Sequence, residues 1–127
     1  MIANMLATFQ KEKEVYKSNF LIPYKDKLIP LSIEKIAFMY FENKMTSIHT
    51  FDSEKYHLDT SLDELYQQLD ANRFFRANRQ FIIAHKAIKE ISLWFGNKLS
   101  VNLSVAVPEK IIVSKAKVAE FKGWFTR

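Results

Sequence analysis

Residues 72–83 read Asn72-Arg73-Phe74-Phe75-Arg76-Ala77-Asn78-Arg79-Gln80-Phe81-Ile82-Ile83. Three arginines and three amide side chains are packed into nine positions and run directly into an apolar, β-branched segment. Phe81-Ile82-Ile83 is strand vocabulary. Arginine forks match phosphate oxygens or the O6/N7 edge of guanine, and Asn or Gln can pair with adenine N6/N7, so Asn78, Arg79 and Gln80 read as nucleic-acid contacts. A structural reading stands beside this one: Arg76 or Arg73 bridges to a carboxylate of a preceding helix, while Phe74 and Phe75 plug the core.

Working outward toward the N-terminus, Phe20-Leu21-Ile22, Leu28 to Leu31, Ile36 to Phe41 and Met45 to Phe51 are short β-branched or aromatic runs separated by polar turns such as Glu42-Asn43-Lys44 and Asp52 to Lys55. They predict a meander of antiparallel strands, with Pro23 and Pro30 at edges or strand ends. Ser61-Leu62-Asp63-Glu64 fits a capping box, and Leu62, Leu65 and Leu69 repeat at helical spacing. Toward the C-terminus, Trp94 to Leu99 predicts a two-residue hairpin with Gly96 at the first position of a type II′ turn. Leu99, Val101, Leu103 and Val105 then alternate with Ser100, Asn102 and Ser104, which predicts one buried and one wet face. A final helix is expected from Ser114 to about Phe125, its apolar stripe formed by Val118, Phe121 and Phe125. The expected fold class is mostly β (small antiparallel sheets) with one or two short-to-medium helices, a domain over residues 19–127, and a linker or lead-in helix over residues 1–18.

The chain has 127 residues, 48% hydrophobic and 26% charged, the balance of one folded domain. It has no cysteine, which excludes disulfides, thiolate metal sites and cysteine nucleophiles, and only two glycines, too few for a P-loop or a dinucleotide-binding turn. His49, His57 and His85 show no metal-ligand spacing, and no residue set supplies nucleophile, base and oxyanion donors together. Neither catalytic residues, nor a metal, nor a cofactor are expected, and the chain reads as a non-enzyme. No apolar stretch reaches membrane-spanning length and Lys11 to Glu14 interrupt any secretory core, so a cytoplasmic location is expected.

Charge is unevenly distributed. Residues 1–70 hold eight lysines, no arginine and eleven acids, whereas residues 71–127 hold eleven Lys and Arg against Glu90, Glu109 and Glu120. A one-signed half points to an anionic partner. Ser114-Lys115-Ala116-Lys117 sharpens the point, because lysines in the first turn of a helix oppose its dipole unless an anion compensates them. Duplex DNA is the preferred anion. A single-stranded nucleic acid, suggested by 11 Phe, 5 Tyr and 2 Trp, and an acidic partner domain are the alternatives.

The ordered set of Phe74 to Ile83, Ile88 to Ile91, the Gly96-Asn97 hairpin and Val113-Ser114-Lys115 resembles the LytTR DNA-binding domain of bacterial response regulators. The resemblance extends over Ile36 to Phe41 and Ser61 to Leu69, and so covers roughly residues 20–125. It implies sequence-specific binding of double-stranded DNA as the output domain of a two-component transcriptional regulator, with loops rather than a helix entering the major groove. The implied reading loops are Asn43-Lys44-Met45-Thr46, then Asn78-Arg79-Gln80 with Arg76 at phosphate, then Ser114-Lys115 with Lys117. Asn78 replaces the family's histidine, Gln80 its serine, Ala84 an asparagine, and Lys115 the arginine of its Ser-Arg pair. The resemblance also implies an upstream receiver domain and pairing of copies on direct repeats. This chain leaves no room for a receiver before Asn19, so it reads as an excised output domain or a free-standing regulator.

Overall fold

The computed structural model describes residues 16–127. The lead-in helix expected over residues 1–18 falls almost wholly on residues 1–15, outside the described residues. Strand β1 (Asn19–Tyr24) pairs antiparallel with β2 (Lys27–Ser32) as a separate two-stranded ribbon. Pro23 and Pro30 are accommodated there because each strand has an open edge.

The centre of the fold is a five-stranded antiparallel sheet. It contains β3 (Ile36–Glu42), β4 (Met45–Thr50), β5 (Lys55–Leu58), β6 (Phe74–Arg76) and β7 (Phe81–Ala84), in the order β5-β4-β3-β7-β6. Ile36, Ala37, Phe38, Met39 and Tyr40 are buried without alternation. A continuous apolar run of this kind belongs to a central strand covered on both faces. Phe81 packs on Tyr40 with ring centroids 4.8 Å apart and on Phe38 at 5.9 Å.

Helix α1 (Leu62–Gln68) begins where the sequence predicts. Ser61 Oγ accepts from the Glu64 amide at 3.2 Å, and Leu62, Leu65 and Leu69 are buried. The second expected helix is shorter than predicted: a 3₁₀ turn over Lys115–Lys117 precedes α2 (Val118–Phe125). Its fully buried side chains are Phe121 and Trp124, with Val118 and Phe125 half-buried beside them. Helix α2 is clamped to the sheet by Phe75, whose ring lies 5.4 Å from Phe121 and 5.1 Å from Trp124, and by Trp124 Nε1 donating to the Ala71 carbonyl at 2.6 Å.

A third sheet, ordered β10-β9-β8, consists of β8 (Ile88–Trp94), β9 (Lys98–Leu103) and β10 (Ile111–Val113). The hairpin between β8 and β9 differs from expectation. Its loop is Phe95-Gly96-Asn97, and both Gly96 (φ 69°) and Asn97 (φ 61°) are left-handed, whereas a type II′ turn needs a positive φ only at its first central residue. The alternation along β9 also breaks: Ser100 is 1% exposed between the buried Leu99 and Val101, and Asn102 and Leu103 are both half-buried.

Candidate nucleic-acid interface

Three loops meet at one end of the five-stranded sheet. The first is the β3–β4 turn, where Glu42 pairs with Met45 and the two central residues Asn43 (φ 52°) and Lys44 (φ 62°) are both left-handed, the signature of a type I′ hairpin. Both are exposed. The second is the loop from Ala77 to Gln80, adjacent to the first because Tyr40 pairs with Phe81 and the Phe41 amide donates to the Gln80 carbonyl at 2.9 Å. The third follows β10, and Asn78 Nδ2 joins it to the second by donating to the Ile112 carbonyl at 3.0 Å. Arg79, Ser114, Lys98 and Ile112 line one cavity of about 520 Å³ between the second and third loops.

The residues of the second loop divide into those that build it and those that project from it. Asn78 Oδ1 accepts from the amides of Gln80 (2.9 Å) and Phe81 (3.0 Å), an arrangement that turns the backbone outward. The Arg76 guanidinium donates from Nε to the Asn78 carbonyl (2.8 Å), from Nη2 to the Arg79 carbonyl (3.0 Å), and from Nη1 to Asp63 in the first turn of α1. Lys117 Nζ donates to the Arg76 carbonyl at 2.8 Å and lies over the Phe75 ring. The polar groups of Arg76, Asn78 and Lys117 thus have internal partners in the free domain, and the pair of Arg76 with Asp63 is the bridge to a preceding helix that the structural reading anticipated. Arg79 is exposed, and its side chain has no hydrogen-bond partner among the described residues.

Thr46, unlike its neighbours in the first loop, is not exposed. It is 2% exposed, since it stands opposite Phe41 on one side and Leu58 on the other, between two paired strands. Ser114 sits at the start of the 3₁₀ turn, yet its hydroxyl caps no amide; it and Lys115 are exposed with their polar groups available. The set with free tips at this end is thus Asn43, Lys44, Arg79, Ser114 and Lys115, with Gln80 exposed beside them and its amide 3.4 Å from Glu109.

Two contributors were not legible in the sequence. Lys98, exposed at the start of β9, joins the wall of the cavity that holds Arg79 and Ser114. Glu109 accepts from the Tyr40 hydroxyl at 2.5 Å and from Gln80 Nε2 at 3.4 Å. Burial, then the hydrogen bond and charge of Glu109, push the Tyr40 phenol well above its ordinary range, so it remains a donor and holds the carboxylate beside Gln80. The only local cue was Glu109-Lys110 next to Pro108, a pattern with no spacing that marks it out.

Among the described residues no group of three or more His, Asp or Glu side chains is disposed to hold a metal ion, and no helix is long and apolar enough to cross a membrane. His49 is a half-buried side chain of β4. It stacks on Phe38 at 4.2 Å, its Nε2 lies 2.9 Å from Ser47 Oγ, and burial, followed by the charges of Lys55 and His57, lowers its pKa to about 4.

Residues 26–126 match the family model of the LytTr DNA-binding domain. The chain is 33% identical over 98 residues to the sensory transduction protein LytT of Enterococcus faecalis, covering 77% of this chain and 39% of that protein. It is 32% identical over 98 residues to the transcriptional regulatory protein LytR of Staphylococcus aureus, with the same coverage. The chain therefore spans well under half the length of these relatives. A solved structure described as the LytTr DNA-binding domain of a methyl-accepting/DNA response regulator from Bacillus cereus superimposes with a TM-score of 0.74 at 22% identity, over 87% of this chain and 99% of that one. That likeness establishes the fold, mostly antiparallel β with two short helices. By the match over residues 26–126 and the shared fold, this chain belongs to the LytTr DNA-binding domain family.

Proposed function

We infer that this domain reads duplex DNA through the three loops at the end of the five-stranded sheet, with Arg79 and Gln80 at base edges. Asn43, Lys44, Ser114, Lys115 and Lys98 then serve mainly as phosphate contacts. The observation that carries this reading is the division of labour in the second loop: Arg76, Asn78 and Lys117 use their polar groups to hold the backbone, leaving Arg79 projecting with an unengaged fork. An arginine so presented matches the two acceptors of guanine in the major groove. Flanking ammonium groups supply the sequence-independent attraction that sets register.

The wider reading is that of an output domain of a cytoplasmic two-component regulator, docked to an upstream receiver and bound as paired copies on direct repeats. The length of the curated relatives, more than twice the matched segment, supports a further domain in the full-length protein. A single-stranded target is less favoured, because Phe74, Phe75, Phe81 and Tyr40 are buried; Phe41, 37% exposed beside Arg79 and Gln80, offers one stacking face where a single-strand platform stacks successive bases.

The test is selection from randomised duplexes, followed by anisotropy titrations of the selected site, a scrambled duplex and the matching single strand at two salt concentrations. A selected motif bound at least about a hundredfold tighter than the scrambled duplex supports the reading. Equal affinity for all three, or tighter binding of the single strand, overturns it.

A further inference from the structure

A second cavity, of about 270 Å³, lies at the end of the five-stranded sheet remote from the three loops. Strand β3 enters the sheet here at Ile36 and leaves at the Asn43-Lys44 turn; β7 runs the other way, from Phe81 beside the loops to Ala84 at this cavity. The floor is apolar, formed by Ile33, Ile36, Phe51, Phe74 and Ala84. The rim carries three cations, Arg73, Lys86 and Arg127, against one carboxylate, Glu34.

That carboxylate occupies the position an incoming anion would take. Glu34 Oε1 pairs with Arg73 and Oε2 accepts from Lys86 Nζ at 2.6 Å. The side chains of Arg73, Glu34 and Lys86 are 41%, 52% and 67% exposed, so water competes for both pairs and the carboxylate can be exchanged. The Arg127 side chain makes one long contact, to Asn72 Oδ1 at 3.4 Å, and is not paired with a carboxylate side chain among the described residues. His85 closes the wall with its ring stacked on Phe125 at 4.6 Å and its Nε2 at 2.9 Å from the Phe125 carbonyl.

We propose that this cavity is a binding site for a small monocarboxylate with an apolar body, its carboxylate taking the place of Glu34 between Arg73 and Lys86. A cavity of about 150 Å³ admits a benzene ring, so this one has room for a ring with a short chain. The body displaces water from the floor while the head group makes charge-assisted hydrogen bonds at the rim. Glu34 acts as the internal competitor that sets the affinity. The site shares no residue with the three loops and does not depend on which residues touch DNA.

The probe is 4-phenylbutyrate, with 4-phenylbutan-1-ol and inorganic phosphate as the matched neutral and matched charge-only compounds. The chain has two tryptophans, Trp94 and Trp124. Trp124 lies 5.1 Å from the His85 ring in the cavity wall, so a Trp94→Phe background makes emission a local reporter beside calorimetry. The expected result is saturable 4-phenylbutyrate binding, with the alcohol about tenfold weaker, as loss of one charge-assisted contact implies. Lys86→Gln and Arg127→Gln, both at exposed positions, should weaken it several-fold, and Glu34→Gln should tighten it several-fold. Equal binding of the alcohol, equal binding of phosphate, or a Glu34→Gln variant that binds no better than the parent would each overturn the proposal.

Discussion

The side chain of Asn78 donates to the carbonyl of Ile112 at 3.0 Å, tying the loop that presents Arg79 to the strand that delivers Ser114. The same side chain accepts from two amides of its own loop. Replacing it with Ala leaves those amides and the Ile112 carbonyl without their partner, and should destabilise the domain by about 1–3 kcal/mol in urea unfolding. Asn78→Asp keeps the acceptor and loses the donor, so its loss should be smaller. An Asn78→Ala variant as stable as the parent would show that the two loops do not depend on this link.

Arg79 and Lys115 should separate in their effects on DNA. Arg79→Ala is expected to cost about 1–3 kcal/mol on the selected site and to relax base choice at one position. Lys115→Ala should weaken all duplexes alike and reduce the salt slope by about one unit. Lys117→Ala, in contrast, should lower stability along with affinity, because its ammonium is bonded to the Arg76 carbonyl. Titrations at two salt concentrations on cognate and scrambled duplexes distinguish the three patterns.

Lys44 offers an opposition between folding and binding. Its φ of 62° lies in the left-handed region at the second position of a type I′ turn, where glycine is favoured. Lys44→Gly should therefore raise stability by roughly 0.5–1 kcal/mol while weakening DNA binding through the lost charge. A thermal melt paired with one anisotropy titration measures both; a variant that binds DNA as well as the parent would remove Lys44 from the interface.

Ser100 is buried, and its hydroxyl is without a hydrogen-bond partner among the described residues. Ser100→Ala removes the orphaned group at almost constant shape and should stabilise the domain, by about 1 kcal/mol in chemical denaturation. A destabilised variant would mean that the hydroxyl is engaged in solution.

His49 gives the domain a pH dependence of known sign. Its pKa is lowered to about 4 in the fold, by burial first and then by Lys55 and His57, against an ordinary value of 6.5. Between these values the unfolded chain binds a proton that the folded chain excludes, so this residue's contribution is full above pH 6.5 and declines as pH falls toward 4. Urea midpoints at pH 7 and pH 5 should differ in that direction, and His49→Gln should reduce the difference. A variant retaining the full slope would assign it to other groups.

The strands and helix starts were legible wherever a local pattern was sufficient. Ser61 with Leu62, Leu65 and Leu69 declares α1 within nine residues, and the run Ile36 to Phe41 declares a strand, whose burial on both faces only the structure shows. The candidate interface was half legible. Arg79 stood out by its chemistry, but nothing local distinguishes it from Arg76, whose guanidinium is taken by Asp63, 13 residues away. Lys117 is claimed by a carbonyl 41 positions earlier, and Thr46 is enclosed by strand pairings on both sides. Residue type announces what a side chain can bind, whereas only the tertiary pairing determines whether it is already bound. Lys98 and Glu109 entered the site for the same reason in reverse, brought there by the third sheet and the loop between its strands β9 and β10.

The grip of Arg76 on the two carbonyls that flank position 79 concerns backbone atoms, which every amino acid possesses. The contour of the loop is thus insulated from whichever side chains it displays. Positions 79 and 80 can change identity under a scaffold that stays the same, so if these two read the operator as proposed, a domain of this design is re-addressed by exchanging its letters and leaving its grammar alone.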